Sequence, residues 1–301
     1  MLSIEEKRVY DERRTVTEAY VSSAMGVVQV RIAGDTVGEF TLCERCDARD
    51  VAAAGGQVAI ATGEDVLVLE GVEDGAGAEG ADPDPDPDFA ETGFGPAVAV
   101  GYDGTALLAA SPDGRVARRP PGEDWVTVEN AAEDGPVEDV RAIDGDLVGT
   151  DAGVYRVHDG ALDHAGLTEV RDVAAAGEGA PLAATDEGLY KLGNGWMEIF
   201  EGPFDAVDID PRSSPGSIER AHAVAGDRLY AFEDGEWAET DAGAERIVGV
   251  AYGDRVYAVT EAGTVRVAGP ESEAPYPEEG DTDSWRDRSI GVRDVTGLAV
   301  R

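Results

Sequence analysis

The sequence predicts an all-β fold: one β-propeller domain over residues 1–301, with seven four-stranded blades and a ring closed by a C-terminal strand that completes the N-terminal blade. Three observations carry this reading. Nearly the same phrase keeps returning, as "ATGEDVLVLEG" (61–71), "GTDAGVYRVHDG" (149–160), "ATDEGLYKLGNGW" (184–196) and "VTEAGTVRVAG" (259–269). Aligned at Gly26, Asp65, Gly114, Gly153, Gly188, Asp227 and Gly263, the units follow at intervals of 39, 49, 39, 35, 39 and 36 residues. A period near 40 marks an array or a propeller. Finally, the first unit is one run short, and the tail of the chain supplies a match for the missing one.

Taken in order, the first unit (18–41) holds three strand-like runs, at 18–23, 26–31 and 36–41. The fifth unit is the most regular, with runs at 170–176, 181–184, 188–192 and 196–200. Gly177, Gly179, Gly193 and Gly195 mark two of its breaks, and Asp186–Glu187 marks the third. Short alternating runs cut by Gly and Asp are strand signals, and no helical period of ten or more residues follows residue 15. Innermost strands are expected near 49–54, 97–102, 138–143, 170–176, 204–209, 246–251 and 293–299. The last of these, in "VRDVTGLAV" (292–300), shares Arg-Asp-Val with "ARDVAAAGG" (48–56) and "EVRDVAAAG" (169–177). It is therefore assigned to blade one. Fourth-strand patterns are weakest in blades two and seven, so six or eight blades are the alternatives.

Two segments interrupt the repeat. Residues 71–95 contain "ADPDPDPD", in which Pro lacks a ladder donor and Asp repels Asp, so an extended solvated loop is expected. Residues 269–284 form a similar acidic insertion, and residues 1–15 form an N-terminal extension rich in Glu and Arg.

The formal net charge is −39, from 63 acidic and 24 basic residues. Only Lys7 and Lys191 are lysines. A field of this sign repels nucleic acid and anionic membrane, so neither is expected as a partner. Self-repulsion at low salt is relieved when salt shortens the screening length, so stability is expected to need high salt. The composition resembles that of haloarchaeal cytosolic proteins. No run of 18 apolar residues occurs. Arg13–Arg14 precede an apolar stretch, but Glu5, Glu6, Asp11 and Glu12 are out of place in an export signal, and residues 19–30 fit the repeat. Two cysteines make no disulfide framework. A cytoplasmic setting follows as the expectation.

Trp125, Trp196, Trp237 and Trp285 all fall where a fourth strand opens. With phrases such as "TDEGLYKLGNGW", this resembles the Asp-box propellers of sialidase-like and photosystem-assembly-factor-like families. The box is degraded: its opening Ser/Thr and the Thr before Trp are missing. Together with the acidic composition, the chain resembles uncharacterised haloarchaeal β-propeller proteins. That resemblance implies a fold and no activity.

Candidate chemistry is sparse. Cys43 and Cys46 form a Cys-x-x-Cys pair that has a structural, a metal-binding and a redox reading; a zinc site would need two further ligands. His158 and His164 flank a turn, where a metal pair or two surface residues are the readings, and His222 lies two blades on. No nucleophile elbow, phosphate loop or His-Glu-x-x-His is present, and no cofactor is expected. The best site candidate is the ring of Asp50, Asp139, Asp172 and Asp294 on innermost strands, expected at one level of the channel mouth. These carboxylates could bind a cation or a basic peptide, or be structural, capping turns or pairing with Arg49, Arg171 and Arg293 across blades.

A non-catalytic protein-interaction scaffold working through its face loops is the leading expectation. A small-ligand- or metal-binding enzyme using the channel carboxylates is the alternative, and an assembly factor for a larger complex is the third.

Overall fold

The computed structural model describes residues 16–69, 87–130, 137, 139–177, 179–269 and 285–301. The N-terminal extension (1–15) and most of both acidic insertions lie outside the described residues. Among those described there is no helix, and the strands form seven sheets, six of four strands and one of five.

Each sheet is one blade. Blade one is assembled from both chain ends, in the order Val295–Val300, Val16–Ser23, Gly26–Ala33, Thr36–Glu44. The tail strand runs antiparallel to Val16–Ser23, with Ala19 opposite Val300 and Ser23 opposite Val295. The remaining innermost strands are Ala48–Ala54, Ala99–Asp103, Val140–Asp144, Val170–Ala174, Ala206–Ile209 and Ile247–Tyr252. All lie within a few residues of their predicted places. The seven-blade prediction holds, including blades two and seven, whose fourth strands are Phe89–Glu91 and Arg286–Ser289; the first lies inside the expected 71–95 loop and corrects it, since Leu67, Val68 and Leu69 pair with Glu91, Ala90 and Phe89.

The hydrophobic core is divided among the blade interfaces. Val28, Val30 and Ile32 of blade one meet Tyr257, Val259 and Val265 of blade seven. Leu182 and Leu189 of blade five meet Phe204, Val207 and Ile209 of blade six. Alternation along each strand sends one face of a blade to each neighbour, which is why a single blade cannot stand alone.

The repeated phrase has a physical basis that the glycine alignment only half captured. Three residues before the aligned position, in every unit but the sixth, where Val224 stands, a Ser or Thr closes the second strand and folds its hydroxyl into the following turn. Thr185 Oγ1 accepts the N–H of Gly188 at 2.9 Å and donates to its carbonyl at 3.0 Å. Thr150 does the same with Gly153, and Thr62 with Asp65. Ser23 and Ser111 donate to the equivalent carbonyls of Gly26 and Arg115. Glycine is needed after them because the turn lies against another carbonyl: a Cβ on Gly153 (φ +136) would stand 2.6 Å from the Leu167 oxygen. Where Asp65 replaces glycine, its carboxylate accepts the N–H groups of Gly93 and Gly95.

Two of the tryptophans tie a fourth strand to the blade before it. Trp125 Nε1 donates to the Thr92 carbonyl and Trp196 Nε1 to that of Ala165. One departure from the repeat was not expected. Blade three's fourth strand is cut to Val126–Thr127, and the chain then crosses so that Glu129–Asn130 adds a fifth, parallel strand outside Ala161–Gly166 of blade four. The crossing leaves a gap between these two blades.

Candidate functional site

Asp50 and Asp172 project from innermost strands into a central channel of about 630 Å3. They occupy the same level, opposite Ala61 and Ala184 on their second strands. Each carboxylate bridges two blades. Asp50 accepts the N–H of Val51 at 2.8 Å and that of Val100, in the next blade, at 2.9 Å. Asp172 accepts from Val173 at 2.9 Å and from Val207, in the next blade, at 2.8 Å.

A second tier lies two residues further along, and the sequence reading missed it. Asp144 accepts from Ala175 of the next blade at 2.7 Å. Asp208 accepts from Ile209 at 2.8 Å and from the main chain of Tyr252 in the next blade. The signal was present as in-phase alternation: residues two apart on a strand share a face. Four of the seven blade junctions thus carry one latch: two into three, four into five, five into six, six into seven. At two other junctions glycine lets the backbones approach. A Cβ on Gly101 would meet the Ile143 oxygen at 2.4 Å, and one on Gly249 would meet the Leu298 nitrogen at 3.3 Å.

Desolvation dominates the channel carboxylates. It pushes Asp50 up to about 6, against the two N–H bonds that favour its charged form. Asp172 rises to about 7, with repulsion from Asp144 and Asp50 adding to burial. Asp144 and Asp208 are raised by the same causes. Asp144 is exposed to the channel, and enclosure by the channel walls is the first cause of its rise.

Asp139 and Asp294 do not join this ring, which corrects the expected single level. Both are exposed, and both sit one residue before the innermost strand with positive φ, 47° and 53°. Glu169 (φ 51°) is their structural equivalent. The following Val140, Val170 and Val295 lie opposite Thr150, Thr185 and Ser23 respectively. Asp294 therefore corresponds to a position three residues before Asp172, although both stand in Arg-Asp-Val.

Nor do these aspartates pair with their neighbouring arginines. A bulge falls at Arg49, Arg141 and Arg171; the last two line the channel, yet all three guanidinium groups reach partners at the junction with the next blade. Arg49 reaches the Ala97 carbonyl at 3.4 Å and Asp47 at 3.7 Å. Arg141 reaches the Val170 carbonyl and Glu169. Arg171 is clamped between Asp186 and Asp205. Arg293 is exposed, apart from this network.

Cys43 and Cys46 are free thiols packed at the interface of blades one and two. Burial pushes both up to about 11, and the Cys43 thiol donates to the Val27 carbonyl at 3.2 Å. Protonated thiols are poor nucleophiles and poor ligands. Among the described residues no group of three or more His, Cys, Asp or Glu is arranged to hold a metal ion. His158 and His164 lie on neighbouring strands but are not cross-strand partners; His158 faces Ala161 and His164 faces Tyr155. His222 is buried, pushed down to about 3, and shares a hydrogen bond at Nδ1 with the Tyr252 hydroxyl, 2.5 Å away.

A cleft of about 1040 Å3 lies between blades three and four, where blade three's fourth strand is cut short. It opens on the face that carries the hairpins joining first to second and third to fourth strands, and it shares Tyr102 and Asp144 with the channel. Its wall combines Val126, 62% exposed, with two ion pairs: Arg118–Asp103 at 3.4 Å and Arg156–Asp146 at 2.8 Å. His158 and Asp159 stand at its rim. The opposite face is knit by the hydroxyl turns and the arginine bridges.

These features define a seven-bladed β-propeller whose channel side chains hold the ring together. The chain belongs to the HVO_0234-like β-propeller family (described as "Beta-prop_HVO_0234:-like, beta propeller"), whose model matches residues 3–301. No curated protein matches it. Among solved structures it is similar to the WD40 β-propeller domain of Doa1, at 15% identity and a TM-score of 0.58, over 84% of this chain and 86% of that one. It is similar also to the computationally designed Ika8 protein, at 12% identity and a TM-score of 0.57, covering 95% and 91% of the two chains. Apo AztD from Citrobacter koseri gives 10% identity and a TM-score of 0.53, covering 95% and 98%. At these identities the likeness is one of fold. Among the described residues no helix is long and apolar enough to cross a membrane.

Proposed function

We propose that this protein is a non-catalytic interaction scaffold that binds a protein partner on the face bearing the cleft between blades three and four. The observation that carries the reading is the cleft itself, an opening of about 1040 Å3 beside the channel mouth with both apolar and charged walls. Asp103, Asp144, Asp146 and Asp159 outnumber the arginines in its lining. An apolar anchor flanked by basic residues is the partner segment this lining fits. The channel carboxylates, by contrast, are engaged by main-chain N–H groups of adjacent blades, which supports a structural role for them over the enzyme alternative. The net charge of −39 and the near absence of lysine support a salt-rich cytosol as the working environment. The distant resemblance to Asp-box propellers, assembly factors among them, is in keeping with such a role.

The test is capture of partners by tagged protein from a high-salt lysate of the source cells, comparing wild type with Val126→Glu in the cleft and Glu187→Arg on the opposite face. A stoichiometric partner retained by wild type and Glu187→Arg but lost by Val126→Glu supports the proposal. Loss with Glu187→Arg alone would move the binding surface to the other face.

A further inference from the structure

Four carboxylates share one channel of about 630 Å3: Asp50, Asp144, Asp172 and Asp208. Each holds a main-chain N–H of the next blade, so each blade junction concerned depends on an oxygen whose charge can change. Among the described residues no cation forms an ion pair with any of the four. Arg49 is taken by Asp47, Arg141 by Glu169, and Arg171 by Asp186 and Asp205. Arg156 pairs with Asp146, and Arg212 with Asp210. Arg141, Arg171 and Asp205 also line the channel in the pairs just given, and the remaining titratable side chains there are Tyr102 from blade three and Tyr252 from blade seven; His222 is the cross-strand neighbour of Asp208 and contacts Tyr252. Tyr102 and Tyr252 are held protonated by burial. Blade one contributes only Thr296, Leu298 and their neighbours, none of which titrates.

We propose that these four aspartates form a proton-operated lock on the ring, which holds the blades more stably when it takes up protons and less stably when all four ionise. Burial and mutual repulsion disfavour the fully charged set, while the main-chain donors keep it from being neutral throughout. The direction of the raised values agrees with this: Asp50 at about 6, Asp172 at about 7, Asp208 well above its ordinary range. A carboxyl whose folded value exceeds its unfolded one binds more protons when folded, so stability is lost as pH rises through the folded value and regained as pH falls. His222 works in the opposite sense. Pushed down to about 3, it costs stability as pH falls below its ordinary value near 6.5. Between about pH 8.5 and 6.5 surface carboxylates do not titrate either, and the smaller rise of the same sign from the raised thiols of Cys43 and Cys46 is retained by a variant that alters only the aspartates.

Thermal unfolding of the full chain in about 1 M salt, where the screening length is about 3 Å, tests this. For the wild type, Tm is expected to rise by about 5 °C or more between about pH 8.5 and 6.5. The Asp172→Asn, Asp208→Asn double variant should lose about half of that rise or more. A flat or falling wild-type Tm, or the same rise in the double variant, overturns the proposal. Should the variant fail to fold, infrared titration of the wild type decides. A protonated-carboxyl band with a midpoint between about pH 6 and 8 supports the lock, and absence of any such band above about pH 5 overturns it.

Discussion

Thr185 shows how much one side chain contributes. Its hydroxyl accepts the Gly188 N–H, accepts that of Glu187 at 3.1 Å, and donates to the Gly188 carbonyl, all in a buried turn. Thr185→Ala leaves these groups without partners and is expected to cost about 1–3 kcal/mol, read as a lower midpoint in denaturant unfolding with the slope unchanged. The glycine of this motif was legible in the sequence because a positive φ or a close carbonyl excludes other residues. The hydroxyl was overlooked because Ser and Thr are common in strands and nothing in the sequence shows which turn they close. The channel aspartates teach a related lesson. Asp50 and Asp172 were legible as a pair, yet Asp294 was grouped with them on a shared tripeptide. What fixes the level of a side chain is its pairing with the second strand and the bulge at Arg171, and neither is written in the local residues. Asp144 and Asp208 share no tripeptide with Asp172 and so stood outside any motif search.

At the scale of elements, the tail strand carries the closure. Val295–Val300 completes blade one, and Thr296 Oγ1 donates to the Ala48 carbonyl at 3.1 Å and accepts from Ser22 Oγ at 2.9 Å. A second clasp lies at the rim, where Arg286 pairs with Asp35 at 2.7 Å and Arg288 donates to the carbonyls of Val37 and Gly38. The inner strand buries apolar surface against blades one, two and seven, whereas the rim pairs are mostly exposed and worth little each. Deleting residues 295–301 is therefore expected to abolish the single cooperative unfolding transition seen by calorimetry. A truncated chain that still unfolds in one sharp transition would show the rim clasp to suffice. This closure was legible because a missing run at one end matched a surplus run at the other. The fifth strand of blade four was not, since Glu129–Asn130 pairs with Ala161 and Leu162 only by proximity and carries no strand pattern.

At the scale of the molecule, the two faces differ in kind. One is stitched together by hydroxyl turns and by arginines reaching the next blade. The other carries the longer connections and the cleft opened by the shortened fourth strand of blade three. A rigid ring with one knit face and one open face is suited to presenting a surface to a partner, and the locked channel supplies the rigidity. Hydrogen exchange of the captured complex, compared with the free protein, tests this assignment most directly. Protection is expected at residues 102–106, 118–128, 144–147 and 156–160, around the cleft. Protection confined to residues 62–65, 150–153 and 185–188, on the opposite face, would contradict it.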